Sequence, residues 1–327
     1  MLTRSKLHIK YDVQYKTLAE TFKTARVTMD SFPVVVVTLE RNGVRGRGEC
    51  YASTRFGWDT DKVLEALKNL PPDFSHAGLL DLMEAGPARN AVDCAFWDLS
   101  AKESSRRAWF GLPDADLRPV ETMTTISLMS SQDLERQIPK IQNMQFMKLK
   151  VGGPDDLEVV RLVRKVSPDA KLLIDANEGW SADLYATLVP ELQKYEILMI
   201  EQPLKEVDDH ALANLPRPIA ICADESFHAE SNLEEMRSRY DAINIKLDKM
   251  GGLTAALQVQ NKAKALGFQT VVGCMLGTSL AIAPGLVAAQ QADYADLDAH
   301  LLCKADRQPA LRTTKGVIHA PDRALWG

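Results

Sequence analysis

Five apolar segments between residues 146 and 246 each end in a charged residue that can bind a metal or move a proton. In chain order these residues are Lys150, Asp175, Glu201, Asp224 and Lys246. Their positions differ by 25, 26, 23 and 22 residues, which is close to the length of one strand followed by one helix. Because the parallel strands of a barrel end at the same rim, this spacing predicts that the five side chains stand next to one another.

Three of these residues are carboxylates on consecutive predicted strands: Asp175, Glu201 and Asp224. Each alone is equally typical of a solvated loop after a strand, but three at the same level of neighbouring strands are much harder to obtain by chance. Oxygen ligands of this kind and number suit Mg²⁺ and leave coordination positions open for water or substrate. We therefore expect Mg²⁺ to bind between the three carboxylates.

The lysines are candidate bases. Lys148 and Lys150 lie two residues apart on one predicted strand, so both side chains point to the same face. Lys246 comes from the strand four positions further round the barrel. A lysine has a pKa of about 10.4 in water, so it is a poor base until burial, a second ammonium or a cation lowers that pKa. A KLK strand is also typical of a sheet edge with two solvated lysines.

Two bases on opposite sides of a metal-held substrate can remove a proton from one face of a carbon and return it to the other. The chemistry that this arrangement predicts is epimerisation. The α-proton of a carboxylate is very weakly acidic, so a cation must stabilise the charge of the enediolate. A lysine base combined with Mg²⁺ is a known solution to this problem.

The strands that carry these residues belong to a regular alternation between residues 120 and 300. Eight apolar runs predict strands: TTISL (124–128), FMKLKV (146–151), KLLID (171–175), EILMIE (196–201), IAICAD (219–224), AINIKL (242–247), QTVVGC (269–274) and YADLD (294–298). The amphipathic stretches between them predict helices. This pattern favours an α/β fold with a (β/α)-barrel, a modified TIM barrel, over an open doubly wound sheet.

The first 115 residues predict a separate α+β domain. Strands are expected at 5–14, 23–29, 34–41 and 44–50, with a hairpin turn at Arg41-Asn42-Gly43. Helices are expected around 60–69 and 88–104. A domain boundary is predicted within 113–119.

The composition is that of an ordinary globular protein. Of the 327 residues, 46% are hydrophobic and 25% are charged, and the net charge of −5 is too small to indicate nucleic acid as a partner. No apolar run reaches the length of a membrane span. The five cysteines are scattered without CxxC spacing, so we expect a reducing, cytoplasmic setting. The expected partner is a small-molecule substrate, and homo-oligomerisation stays open.

Several motifs resemble those of one known family. In chain order they are AVDCAFWDL in the first domain, then MKLKVGG, LLIDANEGW, IEQPL, ADES, INIKLDKMGGLT and DLDAHLL. Together they resemble the dipeptide epimerases of the enolase superfamily, within its muconate-lactonising subgroup. The resemblance covers nearly the whole chain.

This resemblance implies roles for the residues named above. It implies that Asp175, Glu201 and Asp224 bind magnesium and that Lys150 and Lys246 are the paired acid/base catalysts. Lys148 would hold the substrate carboxylate and tune Lys150.

The resemblance also implies a domain arrangement. Residues 1–115 would form a capping domain, residues 116–304 the barrel, and residues 305–327 would return to the capping domain. Loops near residues 18–26 and 51–59 would close over the substrate.

Specificity is expected from residues at the rim. Asp296 and Asp298 share a face, and in dipeptide epimerases such a pair attracts the free ammonium of the dipeptide. The pair could equally form hydrogen bonds to loops. Arg26 follows FKTA, where glutamate-preferring members carry an arginine that meets the substrate side chain. Arg55 and Lys23 are alternatives for that role, and Phe56 and Trp58 could line the pocket.

An L-Ala-D/L-Glu-like dipeptide is therefore the favoured substrate, but other readings stay open. An N-acylamino-acid racemase of the N-acetylglutamate type would use the same residues without needing Asp296 and Asp298. An o-succinylbenzoate synthase or cycloisomerase, or a metal-stabilised binding protein, could share the scaffold. Glu225 and Lys249 lie one and three positions beyond Asp224 and Lys246, so we expect them to face elsewhere, in supporting or surface roles.

Overall fold

Residues 6–25, 27–112, 116–153 and 155–327 are described by the computed structural model. The first domain begins with an antiparallel meander of β1 (His8–Lys23), β2 (Thr28–Arg41) and β3 (Val44–Cys50). Its helices are α1 (Thr60–Lys68), α2 (Leu79–Leu82) and α3 (Pro87–Ser104). Gly46 and Gly48 of β3 let α3 lie directly on the sheet, because a Cβ atom at either position would come within 2.3 and 2.1 Å of its backbone.

The bounds predicted for the first two strands, 5–14 and 23–29, are wrong. One long strand, β1, runs from His8 to Lys23, and the expected second strand falls largely on the turn before β2. The register between β1 and β2 shifts between Thr17 and Phe22. The polar segment that ends β1 has no apolar alternation, so it becomes a strand through pairing with β2 and not through its own pattern.

The barrel contains the eight predicted strands, each within a few residues of its expected bounds. They are β5 (Thr124–Ile126), β6 (Phe146–Lys150), β7 (Lys171–Asp175), β8 (Ile197–Glu201), β9 (Ala220–Ala223), β10 (Ala242–Lys246), β11 (Gln269–Gly273) and β12 (Tyr294–Asp296), after the short β4 (Val120–Glu121). They form one parallel sheet in sequence order. The backbone N–H of Met123 donates to the carbonyl of Ala295 at 3.0 Å, which links the two ends of the nearly closed barrel. The predicted barrel with an N-terminal α+β domain is confirmed.

The barrel helices vary in length. They are α4 (Ser131–Ile141), α5 (Asp156–Val166), α6 (Ala182–Leu192), α7 (Leu233–Met236), α8 (Leu247–Met250), α9 (Leu253–Ala265) and α10 (Ser279–Ala289). A 3₁₀ turn at Asp209–Asn214 replaces the helix after β8, and α8 is an extra turn directly after β10. Among the described residues, no helix is long and apolar enough to cross a membrane.

Alternation along the strands separates the core from the site. On β10, Ile243 and Ile245 pack among the buried apolar side chains beneath the helices, whereas Ala242 joins a second apolar cluster inside the barrel. Lys246 is four residues beyond Ala242, so it lies on the same inner face at the opposite end. The apolar cluster therefore closes one end of the barrel and leaves polar groups at the other.

The last residues contact the first domain. The indole N–H of Trp326 donates to the carbonyl of Cys94, and the N–H of Gly327 donates to Asp98 Oδ1, at 3.0 and 2.7 Å. Before this, β13 (Thr313–Thr314) and β14 (Val317–Ile318) form a small antiparallel sheet with β4. The boundaries at 115/116 and 304/305 stay predictions, and residues 113–115 lie outside the described residues.

Candidate active site

A cavity of about 630 Å³ lies at the carboxyl ends of the barrel strands, beneath the first domain. Barrel residues that line it include Lys148, Lys150, Asn177, Asp224, Glu225, Lys246, Asp296 and Asp298. The first domain contributes Phe22, Thr24, Val27, Met29, Tyr51, Arg55 and Phe56. The cavity is thus lined by both domains.

The three predicted metal ligands lie side by side. Asp175 and Glu201 end β7 and β8 and are direct partners in the sheet register. Asp224 follows the last residue of β9. All three side chains are buried. The equal spacing along the sequence therefore becomes adjacency in space.

The ammonium group of Lys148 lies among these carboxylates. Its Nζ atom is 3.0 Å from Asp175 Oδ2, 2.8 Å from Glu201 Oε2 and 2.8 Å from Asp296 Oδ2. The side chain is only 2% exposed. Lys148 therefore reaches the centre of the cluster and is not a solvated edge residue.

The two candidate bases approach from different sides. Lys150 Nζ lies 2.6 Å from Asp175 Oδ2, and Lys246 Nζ lies 2.6 Å from Asp224 Oδ2. Each lysine side chain is 10% exposed, so each is shielded from bulk water but open to the cavity. Their strands, β6 and β10, are separated by three others.

The electrostatics of the carboxylates follow from these contacts. Burial alone would raise the pKa of Asp175, but the charges of Lys148 and then Lys150 outweigh burial and lower that pKa to about 2. Burial, followed by the charge of Asp175, raises the pKa of Glu201 to about 7. Burial would lower the pKa of Lys246, but Asp224 raises it above its usual value.

The donor set fits a hard cation. Among the described residues, no three His, Cys, Asp or Glu side chains are gathered around one point as a ligand set, because lysine ammonium groups lie between the carboxylates. Glu201 Oε2 is buried and lies 2.8 Å from Lys148 Nζ, so this oxygen already belongs to an ion pair. Three neighbouring buried carboxylates match the oxygen donors that Mg²⁺ prefers.

Two residues that we expected to face elsewhere contact the cluster. Lys249 is buried, and its Nζ donates to Asp224 Oδ1 at 2.7 Å and to the carbonyl of Asp224 at 2.6 Å. Glu225 lines the cavity and accepts from Asn177 Nδ2 at 3.2 Å, and burial, followed by the charge of Asp224, raises its pKa to about 8. The prediction that Lys249 lies at the surface is therefore wrong, and its contacts with Asp224 agree with the alternative of a supporting role. The glycine pair after KLDKM, a helix-ending signal, could have shown that Lys249 lies on a short turn beside Lys246.

The aspartate pair lines the cavity as expected, with different partners. Asp296 contacts Lys148 through Oδ2, and its buried Oδ1 accepts no hydrogen bond within the described chain. Asp298 Oδ2 accepts the backbone N–H of Thr125 at 2.7 Å. Burial, followed by the charge of Asp296, raises the pKa of Asp298 to about 6.

The candidates in the capping loops differ in placement. Arg26 lies outside the described residues, and Lys23 is exposed at the end of β1. Arg55 is paired with Glu178 at 3.0 Å and Glu206 at 3.2 Å. Phe56 lines the cavity, whereas Trp58 is buried and packs against Gly86.

The fold is that of an enolase-type barrel enzyme. Residues 133–324 match the family described as Enolase C-terminal domain-like. Residues 9–107 match the Mandelate racemase / muconate lactonizing enzyme, N-terminal domain. The chain therefore belongs to the mandelate racemase and muconate-lactonizing enzyme family of the enolase superfamily.

Similar proteins include epimerases and racemases. The chain is 38% identical over 308 residues to the L-Ala-D/L-Glu epimerase of Escherichia coli K12, covering 91% of this chain and 95% of that protein. It is 33% identical over 305 residues to the N-acetyl-D-glutamate racemase of a Pseudoalteromonas species, covering 90% and 95%. Both are isomerases, which confirms the class of enzyme expected from the sequence.

A solved structure is also similar to this chain in fold and sequence. It is an enolase family member from Agrobacterium tumefaciens with homology to dipeptide epimerases, and it holds sodium and L-Ala-L-Glu. The TM-score is 0.95 at 38% identity, over 98% of this chain and all of the other.

Proposed function

We propose that the protein epimerises dipeptides of the L-Ala-D/L-Glu type by moving the α-proton of the carboxyl-terminal residue between two lysines, with Mg²⁺ as cofactor. One observation carries this proposal. The ammonium groups of Lys150 and Lys246 reach the same carboxylate cluster from strands on different sides of one cavity. A substrate carbon between them would present one face to each lysine.

The metal would be held by Asp175, Glu201 and Asp224. When bound, the cation supplies positive charge that stabilises negative charge on the substrate carboxylate and favours a neutral lysine beside it. The Agrobacterium structure holds bound sodium, which supports a cation as cofactor in this fold.

The residues of this chain would then bind the substrate carboxylate and transfer the α-proton. Lys148, enclosed by Asp175, Glu201 and Asp296, would bind the substrate carboxylate. One of Lys150 and Lys246 would accept the α-proton from one face as a neutral amine. The other, as an ammonium, would donate a proton to the opposite face. The substrate gains and loses one proton, so the product is its epimer.

Asp296 and Asp298 would bind the free amino group of the dipeptide. The buried oxygen of Asp296 that accepts no hydrogen bond within the described chain suits an ammonium donor. The E. coli relative, named for a dipeptide, agrees with this reading. The racemase relative supports a second candidate function, which is racemisation of an N-acylated glutamate. Such a substrate carries no ammonium group.

The test is to incubate the protein with each member of a dipeptide library in D₂O with Mg²⁺ and to measure the gain in mass of each compound. N-acetylglutamate is tested in parallel. We expect dipeptides that end in glutamate to gain one deuterium at the α-carbon. A mass gain confined to N-acetylglutamate would favour the second candidate, and no gain with any compound would contradict both.

The variant K246A separates the two bases. It should lose epimerisation while one isomer still exchanges its α-proton through Lys150. Interconversion of the isomers at the wild-type rate in this variant would show that the two-base assignment is wrong.

A further inference from the structure

The short helix α8 begins at the residue after Lys246, so a shift of α8 would act directly on that strand end. Two neighbouring side chains of α3, Arg89 and Asn90, reach α8 from the first domain. One of the two candidate bases is therefore followed directly by a helix that the first domain contacts.

Arg89 forms hydrogen bonds to the C-terminal end of α8. Its buried guanidinium donates to the carbonyls of Met250 and Gly251 at 2.7 and 3.0 Å, and to that of Met83 at 3.1 Å. The carbonyls at a helix end carry partial negative charge, which suits a cation. Gly251 has a positive φ of 77°, and a Cβ atom there would lie 2.4 Å from Arg89 Nε. Glycine thus ends the helix and lets the guanidinium reach it.

Asn90 holds the side of the same helix. Its Nδ2 donates to Asp248 Oδ1 at 2.9 Å, and that oxygen also accepts the backbone N–H of Tyr51 at 3.3 Å. Tyr51 follows β3 and begins the loop that lines the cavity. Asp248 therefore joins α8 to two parts of the first domain.

The other base has a different support. Lys150 ends β6, and within the described residues the hydrogen bonds of Arg89 and Asn90 go to α2, α3 and α8. A change at α3 would move the segment that carries Lys246 and leave β6 in place.

We propose that Arg89 and Asn90 are positioning residues for Lys246 but not for Lys150. This inference rests on the proposed two-lysine function. The first domain would thereby support one direction of proton transfer more than the other, in addition to covering the cavity.

The experiment measures α-proton exchange separately for L-Ala-L-Glu and L-Ala-D-Glu in D₂O with Mg²⁺. The variant K246A first identifies the isomer whose exchange needs Lys246. Because a displacement of about 1 Å can cost about 100-fold in rate, we expect R89M to slow exchange of that isomer about 100-fold and N90A about tenfold. The other isomer should change less than about threefold, since Lys150 stays in place.

D98N is the matched control. Asp98 is buried on the same helix but binds Gly327 and Arg47, so its loss should leave the ratio of the two exchange rates unchanged. An equal fall for both isomers in R89M and N90A would overturn the inference, and N90A decides the matter if R89M does not fold. If the wild-type protein exchanges neither proton, the proposed function fails, and this inference fails with it.

Discussion

Eight charged groups of the site form ion pairs with one another. The ion pairs join four ammonium groups, those of Lys148, Lys150, Lys246 and Lys249, with four carboxylates, those of Asp175, Glu201, Asp224 and Asp296. Any added positive charge would favour loss of a lysine proton. A neutral lysine is what a base requires, so a bound cation would favour the basic form of these lysines.

The role of Asp296 can be tested by D296N. If Asp296 binds a dipeptide ammonium, the loss of its charge should raise the KM for L-Ala-L-Glu about tenfold, equivalent to about 1.4 kcal/mol. Steady-state kinetics with the dipeptide and with N-acetylglutamate provide the measurement. An equal change in KM for both compounds would instead indicate an effect through Lys148, which Asp296 also contacts.

Asp248 makes the stability depend on pH. Burial raises its pKa to about 7, although Asn90 and Tyr51 donate hydrogen bonds to it. Between about pH 4 and pH 7 the folded protein keeps this proton while the unfolded chain has released it, so the free energy of unfolding falls as the pH rises. D248N removes this contribution. Urea unfolding across that range should show a weaker decline in D248N than in the wild type, and identical slopes would refute the assignment.

The loop between β3 and α1 is attached to the barrel through charged side chains. Arg55 pairs with Glu178 and Glu206, and Glu206 Oε1 also lies 2.7 Å from His228 Nε2. Glu178 is 1% exposed at its side chain. Removing one partner of such a pair leaves a buried charge without compensation, which is costly, whereas a fully exposed pair contributes little. This network therefore favours the position that the loop has in this structure, beside the cavity.

R55M should loosen this loop. Because substrate binding would then have to close it, we expect the KM to rise about tenfold, and to rise alike for dipeptides ending in glutamate or leucine. R136M, which removes an exposed pair with Asp133, is the control and should have little effect. A rise confined to the glutamate substrate would mean that Arg55 binds the substrate side chain directly.

The two domains are joined across the whole chain. Glu49 of β3 accepts from Thr278 Oγ1 at 2.6 Å and pairs with Arg307, so the meander, α10 and the C-terminal segment meet at one buried carboxylate. Trp326 is fully buried against α3. The first domain is thus held both at the cavity and by the end of the chain.

W326A tests this attachment. Loss of a fully buried indole should lower the free energy of unfolding by about 3–5 kcal/mol, because it leaves a cavity. F110A, at a side chain that is 60% exposed, should change it by less than about 0.5 kcal/mol. Urea titrations measure both values. A loss below about 1 kcal/mol in W326A would mean that the C-terminal segment contributes little to the joined domains.

The positions of Lys148, Lys150, Asp175, Glu201, Asp224 and Lys246 follow from local pattern. Side chains along a strand point alternately to the two faces of the sheet. Because the strand ends are nearly equally spaced in the sequence, the last side chains of these parallel strands lie at one rim of the barrel. The barrel and the cluster could therefore be predicted before any contact was known.

Contacts between distant segments follow from no such periodicity. Arg89 meets Gly251 across 162 positions, and Arg55 meets Glu178 across 123. Lys249 turns back to Asp224, and β1 extends through pairing with β2, for the same reason. Each depends on how separate elements pack, and packing is settled by shape and burial over the folded chain, which no short window of residues encodes.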